Sequence, residues 1–505
     1  MSKLHIGWSE ISITPEKKAS LAGQFAERIS EFVEKPITAT ALAIQAGDDQ
    51  LVLVNADIIV IGYNLTEALK EKLRDNALGL DPTKVIWSAA HCHTAPHYNR
   101  QNRNHKFGGT TTPKALMENI AAIGVDLVQT ANSKAVENGH LGLQSTIDGI
   151  RAAGMQNLGT YKSSEEFRKS GGYVNAFGRA VVGLCRRATY TDGTAQMWGD
   201  TLTPKFHALE AGSDSGIELM YIFDEAKQLT GIVANLACPA QCVQHRLFIS
   251  PDFWGEAKKL LREHFGEHIF LLPLCSAAGD QCPVDLVRWV QPESDLNDPN
   301  CTRINPPKRK ADPSMFDLAG MRKVGKRIAR EIIDVFDEGL DEVCYDAPLA
   351  HKSLMLQLPL RRVTDEEVAN AKAAIAKYFD ENPGDMHFSD AANLQVHIGI
   401  LQRHDLQQKM PILDTEVHIV RLGNIAFASN PFELFLDYGN QIKAWSPAEQ
   451  TFLVQLANGA EGYLPTEKAE KGGHYSAFVS SGMVGHEGGN QLVKETLEHI
   501  NELFK

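Results

Sequence analysis

Residues 84–98 read KVIWSAAHCHTAPHY. A short aliphatic and aromatic run of this kind is the pattern of a strand buried on both faces, and here it ends in His91, Cys92, His93 and then His97. On an extended backbone alternate side chains share one face, so His91 and His93 are expected to leave the strand together. Imidazoles so placed serve as metal ligands or as acid and base groups. The plainer alternative is a loop of solvent-facing histidines.

Runs of the same type recur at 41–47 (ALAIQAG), 50–57 (QLVLVNAD), 216–224 (GIELMYIFD), 229–237 (LTGIVANLA) and 268–274 (HIFLLPL). Between them lie segments of helical period at 65–78, 113–136 and 253–265. Strands alternating with helices predict an α/β (α+β layered) fold, a mixed β-sheet core with flanking helices. Further on, residues 315–339 have apolar positions at helical spacing, and Thr364 followed by Glu367 has the spacing of a capping box opening a second helix. A hairpin is expected at 416–430, another strand at 451–458 and a closing helix at 490–504.

The composition bounds the function. The protein has 505 residues, 43% hydrophobic and 22% charged, which excludes disorder, collagen and coiled coil. A net charge of −13 disfavours a broad basic surface for nucleic acid or an anionic membrane. No apolar run reaches the roughly 20 residues of a spanning helix, and the start, MSKLHIGWSEISITPEKK, lacks the hydrophobic stretch of a signal peptide. A soluble, cytoplasmic protein is expected. The eight cysteines are scattered, with no paired zinc-module spacing, and are expected to be reduced. No internal repeat of 20–50 residues and no Gly/Ser or Pro-rich linker divides the chain. A long loop or lid is expected at 291–314, rich in Pro, Asn and Asp.

Three further polar clusters follow predicted strands: Cys238 to His245 with Ser250-Pro251-Asp252, Ala278 to Pro283, and Asn430-Pro431-Phe432-Glu433. Taken singly, each reads equally as a buried cysteine, a tight turn or a helix-start carboxylate. Together, in order and spacing, they resemble the neutral/alkaline non-lysosomal ceramidases, which are zinc-dependent amidases. Ser88 to Pro96 is similar to that family's S-A-T-H-T-H-S-G-P, Phe248 to Asp252 to its L-I-S-G-D, Ala278 to Pro283 to its A-G-D-V-S-P, and Asn430 to Glu433 to its V-P-G-E. Leu456 to Thr466 is similar to L-S-N-x-Y-x-G-Y-V-T-T.

The resemblance implies roles. His91, Glu433 and Tyr463 take positions of zinc ligands, His93 faces the substrate, Tyr475 is a second active-site tyrosine, and Arg186 stands where the family has a substrate-contacting arginine. Two departures matter. Cys238 falls on the family's second zinc-binding histidine, and a thiolate can replace imidazole as a softer ligand. Cys282 replaces a serine near the reacting centre, where a buried thiol shapes the pocket and a thiolate acts as nucleophile. Cys92 replaces a threonine, and His97-Tyr98 replaces a glycine pair.

The implied assembly is one zinc-hydrolase-like catalytic domain over residues 1–505, lacking the family's C-terminal immunoglobulin-like domain. The implied ligands of Zn2+ are His91, Cys238, Glu433 and Tyr463, with His93 or His97 exchanging protons and Tyr475 and Arg186 steadying the oxyanion. The expected reaction is hydrolysis of an amide or ester in a small polar, N-acyl or sugar-containing molecule. Ceramide fits poorly, given the charge and the absent signal. A metal-assisted lyase acting on a uronate-type carbohydrate is the alternative chemistry, and a metal-free binding protein the third reading. Neither nucleic acid nor membrane is an expected partner, and self-association into a homo-oligomer is left open.

Overall fold

The computed structural model describes residues 2–24, 28–74, 80–98, 171–289, 311–312, 315–382 and 388–505. The helix expected at 113–136 and all but residues 311–312 of the expected lid lie outside the described residues.

Three larger sheets carry the fold, and they repeat one topology. In the first, β1 (Ser2–Ser12), β2 (Thr38–Ala46) and β3 (Asp49–Ala56) form an antiparallel meander. Helix α1 (Tyr63–Leu73) then returns the chain so that β4 (Val85–Ala89) lies parallel to β3. In the second, β5 (Gly172–Arg179), β6 (Gly216–Phe223) and β7 (Leu229–Leu236) form the meander, and α2 (Phe253–Phe265) leads to β8 (Phe270–Cys275), parallel to β7.

The third sheet follows α3 (Asp317–Asp337). Its meander is β9 (Leu349–Pro359), β10 (Ile412–Leu422) and β11 (Ile425–Ser429), with α4 (Asp365–Glu381) and α5 (Phe388–Gln407) inserted between β9 and β10. Helix α6 (Leu436–Trp445) then delivers β12 (Gln450–Val454) parallel to β11, and α7 (His486–Leu503) closes the described chain. The α/β layered expectation is met. The threefold topology is invisible in the amino-acid sequence.

Packing explains the arrangement. Strands β4, β6, β7, β8 and β12 are buried at every position, as expected of central strands covered on both faces. One core joins Leu42 and Leu53 of the first sheet, Val233 and Leu272 of the second, and Val420 and Phe452 of the third. Trp8 stacks on Phe270 across two of the sheets at 5.4 Å. The fourth strands also meet: Gln455 N–H donates to Cys275 carbonyl (3.0 Å) and Asn458 N–H to Trp87 carbonyl (2.8 Å). The carboxyl ends of three parallel strand pairs therefore converge, which is where α/β sheets place ligand sites.

The local signals hold as well. Helix α2 begins at Asp252, whose carboxylate accepts from Phe253 N–H at 2.6 Å, and the capping box of Thr364 and Glu367 is formed. The 416–430 hairpin turns at Gly423, which has φ +59°.

Candidate functional site

Each polar cluster sits at one of those converging ends. After β4 the backbone is not extended as expected: His91 has φ +57° and the chain turns at His93 and Thr94. This is the left-handed region, uncommon outside glycine. The turn is locked by Cys92 N–H to Ile58 carbonyl (2.9 Å) and His93 N–H to Ala240 carbonyl (3.0 Å). Cys92 Sγ and Thr94 Oγ1 both donate to Ser250 carbonyl at 2.9 Å, so the Phe248 to Asp252 patch shapes the histidine turn. The imidazoles of His91 and His93 consequently meet edge to face, 4.9 Å between centroids.

Both rings are oriented by backbone carbonyls. His91 Nδ1 lies 2.7 Å from Ile59 carbonyl and His93 Nδ1 lies 3.0 Å from Gly23 carbonyl. A carbonyl oxygen can only accept, so the Nδ1 facing it carries a proton in each ring, and Nε2 is the nitrogen turned into the site. Nε2 of His91 faces Glu433 Oε2 at 3.4 Å. Nε2 of His93 is buried with no hydrogen-bond partner. Burial, reinforced by His91, Arg28 and Arg186, holds the His93 pKa well below the usual imidazole range.

Glu433 and Tyr463 are brought together by a two-residue parallel ladder in which they are direct partners. Gly279 makes room for that ladder, since a Cβ there would lie 2.3 Å from Glu433 carbonyl. The Tyr463 hydroxyl is in hydrogen-bond contact with Glu433 and with Tyr475, whose ring stands edge-on at 5.5 Å. Burial alone would raise the Glu433 carboxyl, but His91 and Arg186 outweigh it and hold the carboxyl below its ordinary value. Burial, with Glu433 and Tyr475 beside it, pushes the Tyr463 phenol well above its ordinary value.

Arg186 lies between two short strands and enters the same space. Its Nη2 donates to Gly279 carbonyl (2.9 Å) and Tyr463 Oη (3.3 Å), and its Nη1 to Gln241 Oε1 (3.5 Å). Consecutive residues of an extended chain point to opposite sides. Arg187 accordingly turns away and forms a buried two-pronged pair with Glu210, at 2.5 and 3.1 Å. It also donates to the carbonyls of Gly473 (2.8 Å) and Tyr475 (2.8 Å), anchoring the loop that carries Tyr475.

The structure thus joins His91, His93, Arg186, Glu433, Tyr463 and Tyr475. Two cysteines expected in the site make other contacts here. The Sγ of Cys238 points to Val182 carbonyl at 3.4 Å, and burial, together with Cys282 and Cys275, keeps its thiol far above the ordinary pKa. Among the described residues no three His, Cys, Asp or Glu side chains gather at metal-ligand distance. Cys282 Sγ lies 3.4 Å from Val284 carbonyl, and burial pushes its pKa to about 12 despite Arg186. A thiol so raised stays protonated near neutral pH and lines the wall. His97 is half-buried, its amide donating to Ser20 carbonyl at 2.7 Å.

The remaining donors suit a divalent metal. A histidine with Nδ1 tied to a carbonyl, its Nε2 facing a buried carboxylate beside a tyrosine oxygen, is a nitrogen and oxygen set of the kind divalent metals take. Sequence reasoning missed Gln241, Gly23 and the Arg187–Glu210 pair, because nothing in their residue types marks them. A separate surface cavity of about 1060 Å³, lined by Tyr173, Glu338, Cys344 and Arg421 among others, lies away from this chemistry. Among the described residues no helix is long and apolar enough to cross a membrane.

Along its whole length the chain is similar to the crystal structure of neutral ceramidase from Pseudomonas aeruginosa. The TM-score is 0.65 at 15% identity, with 75% of that chain covered. It is similar also to a ceramidase complexed with C2, with TM-score 0.63, 13% identity and 75% coverage. The fold is therefore ceramidase-like. A family model described as bacterial capsule synthesis protein PGA_cap matches residues 92–234, a minority of the chain. No curated protein matches it.

Proposed function

We propose that the protein is a metal-dependent hydrolase cleaving an amide or ester bond in a small polar, N-acyl or sugar-containing molecule, with the three sheets acting as one catalytic unit. One observation carries this reading: the open Nε2 of His93 lies in the same buried space as the convergent His91, Glu433 and Tyr463. His91, Glu433 and Tyr463 are the residues to hold zinc. When bound, the metal supplies polarisation of the scissile carbonyl and a lowered pKa for water.

The chain's own groups do the rest. His93, neutral and with its lone pair open, takes a proton from the attacking water and returns it to the leaving group. Tyr475, a neutral phenol held up by burial and Glu433, donates to the developing oxyanion. The surrounding buried side chains exclude bulk water from the exchange.

Metal analysis of purified protein tests the reading. Zinc is expected in stoichiometric amount in the wild type, lost in His91→Ala and retained in Cys238→Ala. A metal-free wild type, or zinc surviving His91→Ala, overturns it. Product analysis separates hydrolysis, which adds water and yields a carboxylate, from elimination, which yields an unsaturated product absorbing in the ultraviolet.

A further inference from the structure

Arg186 is 4% exposed and, among the described residues, makes no ion pair within 4.0 Å. Its hydrogen-bond partners are neutral: a peptide carbonyl, a phenol and an amide oxygen. Buried charges are ordinarily paired, because removing one from water is costly, and its neighbour Arg187 obeys that rule through Glu210. Glu433, the nearby carboxylate, acts on Arg186 only through space, with Tyr463 hydrogen-bonded to it and His91 Nε2 3.4 Å away.

Arg186 Nε is, moreover, buried without an acceptor, and so is Nε2 of Gln241, a residue 1% exposed. The Gln241 oxygen is turned to the guanidinium, so its amide N–H2 is the free end. Gln241 adjoins Ala240, whose carbonyl holds the amide of His93. Two side chains in contact, one of them cationic, thus each keep an unmet donor beside the proposed reacting centre.

We infer that Arg186 and Gln241 form a seat for a carboxylate of the substrate, making Gln241 a specificity-determining residue. The substrate class is then a small organic acid whose carboxylate lies next to the bond to be cleaved. A guanidinium N–H and an amide N–H2 are both donors that carboxylate oxygens accept from. The inference rests on this site being a substrate site, and not on which bond is broken there. An acyl amino acid and a uronate-type sugar offer the same group.

Calorimetric titration of the protein as purified tests it with N-acetylglycine, its uncharged counterpart N-acetylglycinamide, D-glucuronate and acetate. A charge-assisted pair of hydrogen bonds predicts that N-acetylglycine or D-glucuronate binds about tenfold or more tightly than the amide or acetate. Whichever acid binds more tightly names the source of the carboxylate. Gln241→Met, which keeps the chain length of the side chain, should lose that preference and leave the amide unchanged. Gln241→Glu should abolish acid binding.

Equal binding of N-acetylglycine and its amide overturns the inference on wild-type protein alone, even if the variants do not fold. Acetate binding as tightly as the larger acids also overturns it, since the donors then serve a product. Release of acetate from N-acetylglycine without acid-selective binding sinks this inference and leaves the hydrolase reading standing. Acid-selective binding with no bond cleaved does the reverse.

Discussion

Glu210 receives both prongs of Arg187 in a pair that is fully buried, and the rest of the same guanidinium holds the carbonyls of Gly473 and Tyr475. Removing one partner of such a pair strands a buried charge and costs roughly 3–5 kcal/mol. Glu210→Gln is therefore expected to destabilise the protein by about that amount in chemical denaturation. Amide hydrogen exchange should quicken first across residues 469–476. Arg187→Lys should not restore protection, because an ammonium cannot reproduce the planar fork. Unchanged exchange in that loop counts against the anchoring role.

Gly23 has φ +89°, and a Cβ on it would lie 2.4 Å from His93 Nδ1. Gly23→Ala adds both backbone strain and a collision with the ring, for an expected loss of roughly 1–3 kcal/mol. The imidazole nitrogen signals of His93 should shift in the NMR spectrum. A variant as stable as the wild type, with those signals in place, shows that the ring is not seated by this glycine.

Acid stability has an assignable source. Burial would raise the Glu10 carboxyl, yet Lys258 at 3.1 Å and Arg262 at 2.8 Å overcome it and lower the pKa to about 2. A depressed carboxylate gives stability that is present above its unfolded pKa of about 4.5 and lost as pH falls through the folded value. The contribution is roughly 3 kcal/mol, disappearing between about pH 4.5 and pH 2. Glu416, also lowered to about 2, titrates in the same window. Glu10→Gln should therefore be less stable than wild type at pH 7, with the two curves converging towards pH 2. Curves that stay parallel refute the assignment.

Cysteine reactivity separates wall from nucleophile. Burial raises the thiols of Cys238 and Cys282, the latter to about 12, whereas Cys344 is only half-buried. Alkylation of native protein near neutral pH, read by mass spectrometry, should mark Cys344 and spare Cys238 and Cys282. Fast modification of Cys282 would revive it as a nucleophile.

Much of this was legible in the residues, for identifiable reasons. Strands β2, β3, β4, β6, β7 and β8 are doubly covered and so read as continuous apolar runs. The first strand of every unit escaped detection. β5 and β9 mix buried and exposed positions, and β1 carries His5, Ser9 and Glu10 among its apolar residues, so none stands out as an apolar run. His91, His93, Glu433 and Tyr463 could be found because they end strands in recognisable short patterns. The contacts of Cys238 could not be read from spacing, since the direction of its Sγ is set by the tertiary fold. Gln241 and Arg187 act through partners 55 and 23 residues away, Arg186 and Glu210, and neither leaves a mark on local pattern.

The three meanders divide inheritance as well as space. His91 comes from the first unit, and Glu433 and Tyr463 from the third. Arg186, Cys238, Gln241 and Cys282 all come from the second. A lineage holding two corners constant can vary the remaining one without disturbing them. Grafting residues 238–245 between relatives of this fold would accordingly change the corner that holds Gln241 while leaving His91, Glu433 and Tyr463 on the other two units.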